Sequence, residues 1–455
     1  MCMNLFFEFL QVAIGNRETL SRELSDDEWN DVFLLLKKHA LLGVGFTAVE
    51  RLHVKGIVCP AKLRMQWYAL VVQIEKRNVQ LNAICKRVTE QYEHDGLSTC
   101  ILKGQGNLLN YPEELRNRRM PGDIDIWVAP LPPGGRCCRS CNTDEGIAVA
   151  VQTGKDSAEY MKYHGVKAVI EYVKMLHRIN GSDKTPRPIY HHVDAPAVDG
   201  IEVEAHYRTG YVHSPLRNWR MQRWFNVHQD ECAANRTTYG FSMPTPSVNV
   251  VYQMTHLFSH YFQEGIGLKQ FLDLYFTLIA WKRSKDSCGG RQSQGMWSEG
   301  LGTPVMSATE IMVVLRSFGM GKFAGAVMYV LQEAFENEEC LLELEMRNEK
   351  LGIERELPQI DRELKEIGPQ ADYAPWMICE PNEKEGMKLI TEIMQGGNFG
   401  QYDTRDAALK KGGMVKHGVW KLKRVMRLVR SYPEEALWEP VFRVYHLVWR
   451  GINGG

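Results

Sequence analysis

The chain has 455 residues, 44% of them apolar, enough for a substantial core and two or three folding units. Lys+Arg and Asp+Glu both total 55, so no global charge marks a nucleic acid or a membrane as partner. The 11 cysteines follow no disulfide framework, and no apolar run reaches the roughly 18 residues of a membrane span, so the expectation is a soluble cytoplasmic protein with free thiols.

The first 95 residues read as helical. "MCMNLFFEFLQVAIGNRE" has no basic segment and no small-residue cleavage site, so it reads as an amphipathic helix and not as a signal peptide. Ser25-Asp26-Asp27 caps a following helix, and "AKLRMQWYALVVQIEKRNVQLNAICKRVTEQYEHDG" is one long helix ending near Gly96. The pattern then changes. "LSTCILKG" is a strand ending near Lys103, "GNLLNYP" a short helix stopped by Pro112, and "DIDIWVAP" a strand stopped by Pro130. "LPPGGRCCRSCNTDEG" is a loop. Its one C-x-x-C, Cys138 to Cys141, lacks the second pair that a structural zinc site wants. "GVKAVIEYVKMLHRIN" is an amphipathic helix, and "IYHHVD" and "IEVEAHYR" form a hairpin around "APAVDG".

From about Thr245 the pattern is helical to the end. The fold class is therefore α+β: an α/β unit over 96–240 between helical regions 1–95 and 241–455. Residues 401–455 hold eleven Lys/Arg against five Asp/Glu. The basic stretch at 410–430, "KKGGMVKHGVWKLKRVMRLVR", reads first as a surface helix with its apolar stripe packed, and second as a contact for nucleic acid or anionic lipid.

The chemistry concentrates in the α/β unit. Residues two apart on a strand share a face, so Asp123 and Asp125 point one way while Ile124, Ile126 and Val128 point the other. Two like charges side by side are costly unless something cationic sits between them. In "GIEVEAHYR", Glu202, Glu204 and His206 alternate with Ile201, Val203 and Ala205 in the same way. If the two polar faces adjoin, three or four acids converge, a donor set suited to a hard divalent cation. His191, His192 and His206 read first as hydrogen-bonded residues of the sheet and second as metal ligands.

"ILKGQGNLLNYPEELRNRRMPGDIDIWV" resembles the signature of the uncharacterised bacterial nucleotidyltransferases of the polymerase-beta-like nucleotidyltransferase superfamily. The matching residues are Lys103, Gly104, Tyr111, Pro112, Arg119, Gly122, Asp123 and Asp125. "YHHVDAPAVDGIEVEAHYR" is similar to the family's later strand pair, and "GIGLKQFLDLYF" to a helical segment that follows it. The resemblance implies a small mixed sheet flanked by helices. It implies transfer of a nucleoside monophosphate from an NTP to an acceptor (a small molecule, a protein or an RNA end) with release of pyrophosphate, dependent on Mg²⁺ or Mn²⁺.

Asp123, Asp125 and Glu204 would be the catalytic, metal-binding carboxylates, with Glu204 also drawing the acceptor's proton. Glu202 is the second choice for the third carboxylate, and His206 lies beside it. Lys103, Gly104, Gly122 and Arg119 would contact the nucleotide, Arg119 having a loop-holding ion pair as its alternative role. The superfamily's usual Gly-Ser is replaced here by Lys103-Gly104-Gln105-Gly106, which leaves open how a triphosphate is held. Two other functions fit the same fold: a nucleotide-sensing or protein-interaction module without turnover, and an RNA-modifying toxin. The sensor reading requires Glu202 and Glu204 to lie too far from the aspartates to share a metal.

Overall fold

The computed structural model describes residues 3–130, 165–181, 186–288, 304–336 and 374–453. The Cys138–Cys141 loop lies outside them. The amino-terminal region holds four helices: α1 (Met3–Ile14), α2 (Asp26–Lys38), α3 (Leu42–Val54) and α4 (Ala61–His94). Ser25 and Glu28 close a capping box at the start of α2, as the sequence suggests. The first helix forms as expected and is deeply packed: α1 buries Leu5, Phe6, Phe7 and every residue from Phe9 to Ile14, with Glu8 half-buried, because α3 and a carboxy-terminal helix cover it on two sides.

After Gly96, whose φ of +85° ends the long helix, the chain enters a four-stranded sheet. Its strands are β1 (Leu97–Ile101), β2 (Ile124–Pro130), β3 (His192–Val198) and β4 (Ile201–His206), in the order β1-β2-β4-β3. The β2–β4 pair is parallel and the outer pairs are antiparallel, so the sheet is mixed. Between β1 and β2 run a 3₁₀ segment (Gly104–Asn110) and a short helix α5 (Glu113–Arg116). Helix α6 (Gly165–Ile179) precedes β3. The β3–β4 turn is tighter than expected. Ala195–Val198 continue the strand, and only Asp199 and Gly200, with φ of +50° and +73°, make the turn.

Among the described residues the remaining α-helices are α7 (Pro215–Val227), α8 (Gln229–Ala234), α9 (Pro246–Gln263), α10 (Leu268–Cys288), α11 (Ala308–Ser317), α12 (Gly321–Phe335), α13 (Glu383–Gly396), α14 (Ala407–Lys410), α15 (Met414–Leu428) and α16 (Pro433–Asn453). Among the described residues no helix is long and apolar enough to cross a membrane.

Alternation along the strands divides the core. Ile124, Ile126, Val128, Ile201, Val203 and Ala205 pack against Leu81, Ile84 and Val88 of α4 and Val169 and Val173 of α6. The opposite face carries Trp127, which joins the large helical core and meets Phe225 edge-on. Phe442 and Trp449 of α16 return to the sheet's own cluster. The basic helix α15 is a surface helix with a packed apolar stripe, and it carries more apolar surface than that stripe needs. Trp420, Val425 and Leu428 are packed, but a second stripe, Val415, Val419, Leu422 and Met426, is exposed.

Candidate active site

The parallel pairing of β2 with β4 sets Asp125 directly opposite Glu204. Both side chains stand on the face turned away from α4 and α6, over which α9 passes. The result is a cleft of about 280 Å³ lined by Lys103, Asp123, Asp125, His192, Glu204 and His206 on the sheet side. The far wall is Tyr252, His256, Ser259, His260 and Gln263. Glu202 is exposed, two residues nearer the β3–β4 turn, and does not line the cleft. Glu204 is therefore the carboxylate that the register brings to the aspartates.

The repulsion between Asp123 and Asp125 is offset from within the chain. Lys103, at the end of β1, holds its Nζ 3.1 Å from Asp125 Oδ1 and 3.6 Å from Asp123 Oδ2. From the other side His206 Nε2 donates to Asp125 Oδ1 at 2.9 Å and lies 3.1 Å from Glu204 Oε2. Its Nδ1 donates to the Arg208 carbonyl. Burial alone would lower the His206 pKa, but the Asp125 and Glu204 carboxylates raise it to about 9. Burial would likewise raise Glu204, yet the hydrogen bond and charge of His206, with His192 and Lys103, lower it to about 2. Burial opposes the charge on Lys103 too, and Asp125 and Asp123 outweigh it, so the ammonium is held above its ordinary pKa. At neutral pH the cluster is thus a set of carboxylates interleaved with two cations.

The satisfaction is incomplete. Asp125 is 1% exposed, yet its Oδ2 has no hydrogen-bond partner among the described residues. An orphaned buried carboxylate oxygen costs on the order of 1–3 kcal/mol or more, and such a group in a cleft points to a missing ligand. Donor atoms of Asp125, Glu204 and His206 lie within 4.8 Å of one another, close enough to share one ion. The donor set therefore fits a divalent cation. Asp123 is outside that trio and is joined to it through Lys103.

The α9 wall is neutral. Burial, then the charges of His260 and Lys103, keeps His256 well below its ordinary pKa, and burial with the charge of Lys103 lowers His260 to about 3. These residues were not among the sequence candidates, although the signal was present. Tyr252, His256, Ser259, His260 and Gln263 recur at helical spacing as a polar stripe on an otherwise apolar helix.

Three of the expected nucleotide contacts are placed as follows. Gly104 has φ of +60° beside the Asp123 carbonyl, a conformation that favours glycine. The segment it opens is a buried 3₁₀ turn of seven residues and not the short α-helix expected. Gly122 is exposed on the approach to Asp123. Arg119, read first as a phosphate contact, instead forms a buried two-pronged pair with Asp273 of α10, Nε to Oδ1 and Nη2 to Oδ2, each 2.7 Å. Tyr111 Oη donates to the same Asp273 Oδ1 at 2.6 Å. Its loop-holding alternative is thus realised, with Asp273 as partner.

No curated protein matches the chain, and no solved structure matches it. The family described as "Uncharacterised nucleotidyltransferase" matches over residues 25–286, more than half of the chain and the whole of the cleft's sheet side. The chain belongs to this nucleotidyltransferase family.

Proposed function

We propose that the protein transfers a nucleoside monophosphate from an NTP to an acceptor hydroxyl, releasing pyrophosphate, with Asp123, Asp125 and Glu204 holding divalent metal. The observation that carries this reading is the opposed Asp125–Glu204 pair with its unpartnered Asp125 Oδ2. A bound divalent cation supplies charge neutralisation at the triphosphate and at the attacking oxygen. The chain's own residues orient the reactants. Lys103 sits between the aspartates at the mouth of the 3₁₀ turn, within reach of a phosphate that displaces it from them. Glu204, set opposite Asp125 and kept ionised by His206, is the third metal ligand in this reading. The neutral α9 wall offers imidazole and hydroxyl groups to the nucleotide or the acceptor.

The sensor reading requires its third carboxylate to stand apart from the aspartates, and the β2–β4 register argues against that. For the acceptor, RNA draws some support from the exposed Lys416 and Arg430 of the α15 region. The test is pyrophosphate release with each NTP in Mg²⁺ or Mn²⁺, using RNA, protein and small hydroxyl compounds as acceptors. Asp125→Asn should lower it by more than about 100-fold. Equal release by wild type and variant would sink the proposal.

A further inference from the structure

Part of the cleft wall comes from beyond the stretch that the family matches. Phe399 lines the cleft with Tyr252, His256 and His260, although it follows α13 and lies well past residue 286. Its backbone is left-handed, with φ of +50° and ψ of +32°, a conformation that glycine takes freely and other side chains rarely adopt. Strain of this kind persists only where the surroundings impose it, and it gathers at binding sites. Here the surroundings do impose it. A Cβ added to Gly400 would stand 2.0 Å from the Glu264 carbonyl oxygen, and one added to Gly267 would stand 2.8 Å from the Asn398 Cα. The turn is thus pressed backbone to backbone against the α9–α10 connection. Gln270 Nε2 donates to Asn398 Oδ1 at 3.0 Å, and Lys410 Nζ donates to the Gly400 carbonyl at 2.8 Å, so both neighbours of Phe399 are tied down.

What the strained turn presents is a flat apolar ring in a polar cleft. Phe399 is half-buried and belongs to neither hydrophobic cluster, so core packing does not account for it. Its ring centroid lies 5.0 Å from that of His260, with 52° between the planes, so the imidazole does not cover it as a parallel neighbour would. The same imidazole has a buried Nδ1 without a hydrogen-bond partner among the described residues. A flat apolar face beside an unmet ring nitrogen suits a heterocycle, which brings a π-face and a polar edge together. Of the parts of an NTP, the base is that group, whereas the phosphates belong with the metal-binding carboxylates and Lys103 on the sheet side.

We propose that Phe399 is the platform on which the base of the NTP stacks, held in the cleft by a strained turn. The inference rests on the transferase reading above and adds the residue that grips the base, but it is read by binding and not by turnover. Every base has a π-face, so this platform separates a nucleotide from an inorganic triphosphate and does not by itself choose among the four bases.

The experiment is calorimetric titration of the full-length protein in Mg²⁺ with ATP, UTP and inorganic tripolyphosphate, for the wild type, Phe399→Gly and Phe399→Tyr, with thermal unfolding alongside. Glycine takes the left-handed conformation without strain, so Phe399→Gly should unfold within about 3 °C of the wild type. It should nevertheless bind ATP and UTP more weakly by about tenfold or more, while its affinity for tripolyphosphate changes by less than about threefold. Phe399→Tyr keeps the ring and should stay within about threefold of the wild type for all three. ATP and UTP affinities unchanged in Phe399→Gly would overturn the inference. So would weaker binding of the acceptor with ATP binding unchanged, which would give the ring to the acceptor. If ATP binding depends on the ring but no nucleoside monophosphate is transferred, the inference stands and the transferase reading fails. If Phe399→Gly transfers nucleotide with an unchanged KM for the NTP, the transferase reading stands and the inference fails.

Discussion

At the scale of single residues, the two aspartates of "GDIDIWV" differ in what they contribute to the fold. Asp125 is buried between Lys103 and His206, whereas the Asp123 side chain is 33% exposed and touches Lys103 only at 3.6 Å. From the sequence alone, deleting Asp123 would relieve a repulsion between the pair. With the cations in place the two aspartates carry different costs. Asp125→Ala strands two buried positive charges and should cost about 3–5 kcal/mol. Asp123→Ala should change stability by less than about 1 kcal/mol. Urea unfolding of the two variants in the absence of metal checks the contrast. The shared faces of Asp123 with Asp125 and of Glu202 with Glu204 and His206 were legible because strand alternation fixes faces from sequence. Lys103, and the preference for Glu204 over Glu202, came from the family resemblance alone, because the parallel register that sets Glu204 opposite Asp125 is encoded by no local pattern.

At the scale of elements, the motif residues separate into a chemical set and a clamp. Tyr111 and Arg119 converge on Asp273 and so tie the β1–β2 connection to α10. Asn78 on α4 donates to the Asn117 and Arg119 carbonyls of the same connection. This clamp sets the approach of Asp123 to the cleft. Breaking it with Arg119→Ala leaves the Asp273 charge buried and should cost about 3–5 kcal/mol. The double change Arg119→Met with Asp273→Leu should cost less than the sum of the single changes, which a double-mutant cycle by denaturant unfolding would show. Sequence reading saw the arginine near a glycine-aspartate pair and favoured phosphate. Its partner lies 154 positions away on a helix, a distance over which spacing carries no information. The α9 wall was missed for a related reason, because a polar stripe on a buried helix marks a cleft only once the sheet beneath it is known.

At the scale of the whole molecule, the chain's three stretches, 1–95, 96–240 and 241–455, mark changes of pattern, and the packing joins them. Helix α4 supplies the sheet's cover, α9 its far wall, and α16 brings Phe442 and Trp449 back to the sheet's cluster. The burial that joins them has a consequence in acid. His39 is fully buried between Phe6 and the Leu268 amide, and burial, with Lys38, lowers its pKa from 6.5 to about 3. The unfolded chain takes up this proton first as the pH falls. The neutral His39 therefore contributes fully above about pH 6.5, and stability is lost progressively below it, by about 2–3 kcal/mol at pH 4.5. Unfolding measured at pH 7 and pH 4.5 should show this part of the slope in the wild type and not in His39→Gln.

The central claim concerns what leaves the NTP and where it goes. Nucleotides labelled at the α-phosphate or at the γ-phosphate, incubated with the full-length protein, divalent metal and a panel of acceptors, distinguish the outcomes. Transfer of a nucleoside monophosphate at the Asp123–Asp125–Glu204 cleft predicts acceptor labelled from the α position alone, with pyrophosphate released in equal amount and both lost in Asp125→Asn. Label arriving from the γ position, or α label that persists in Asp125→Asn, would contradict it.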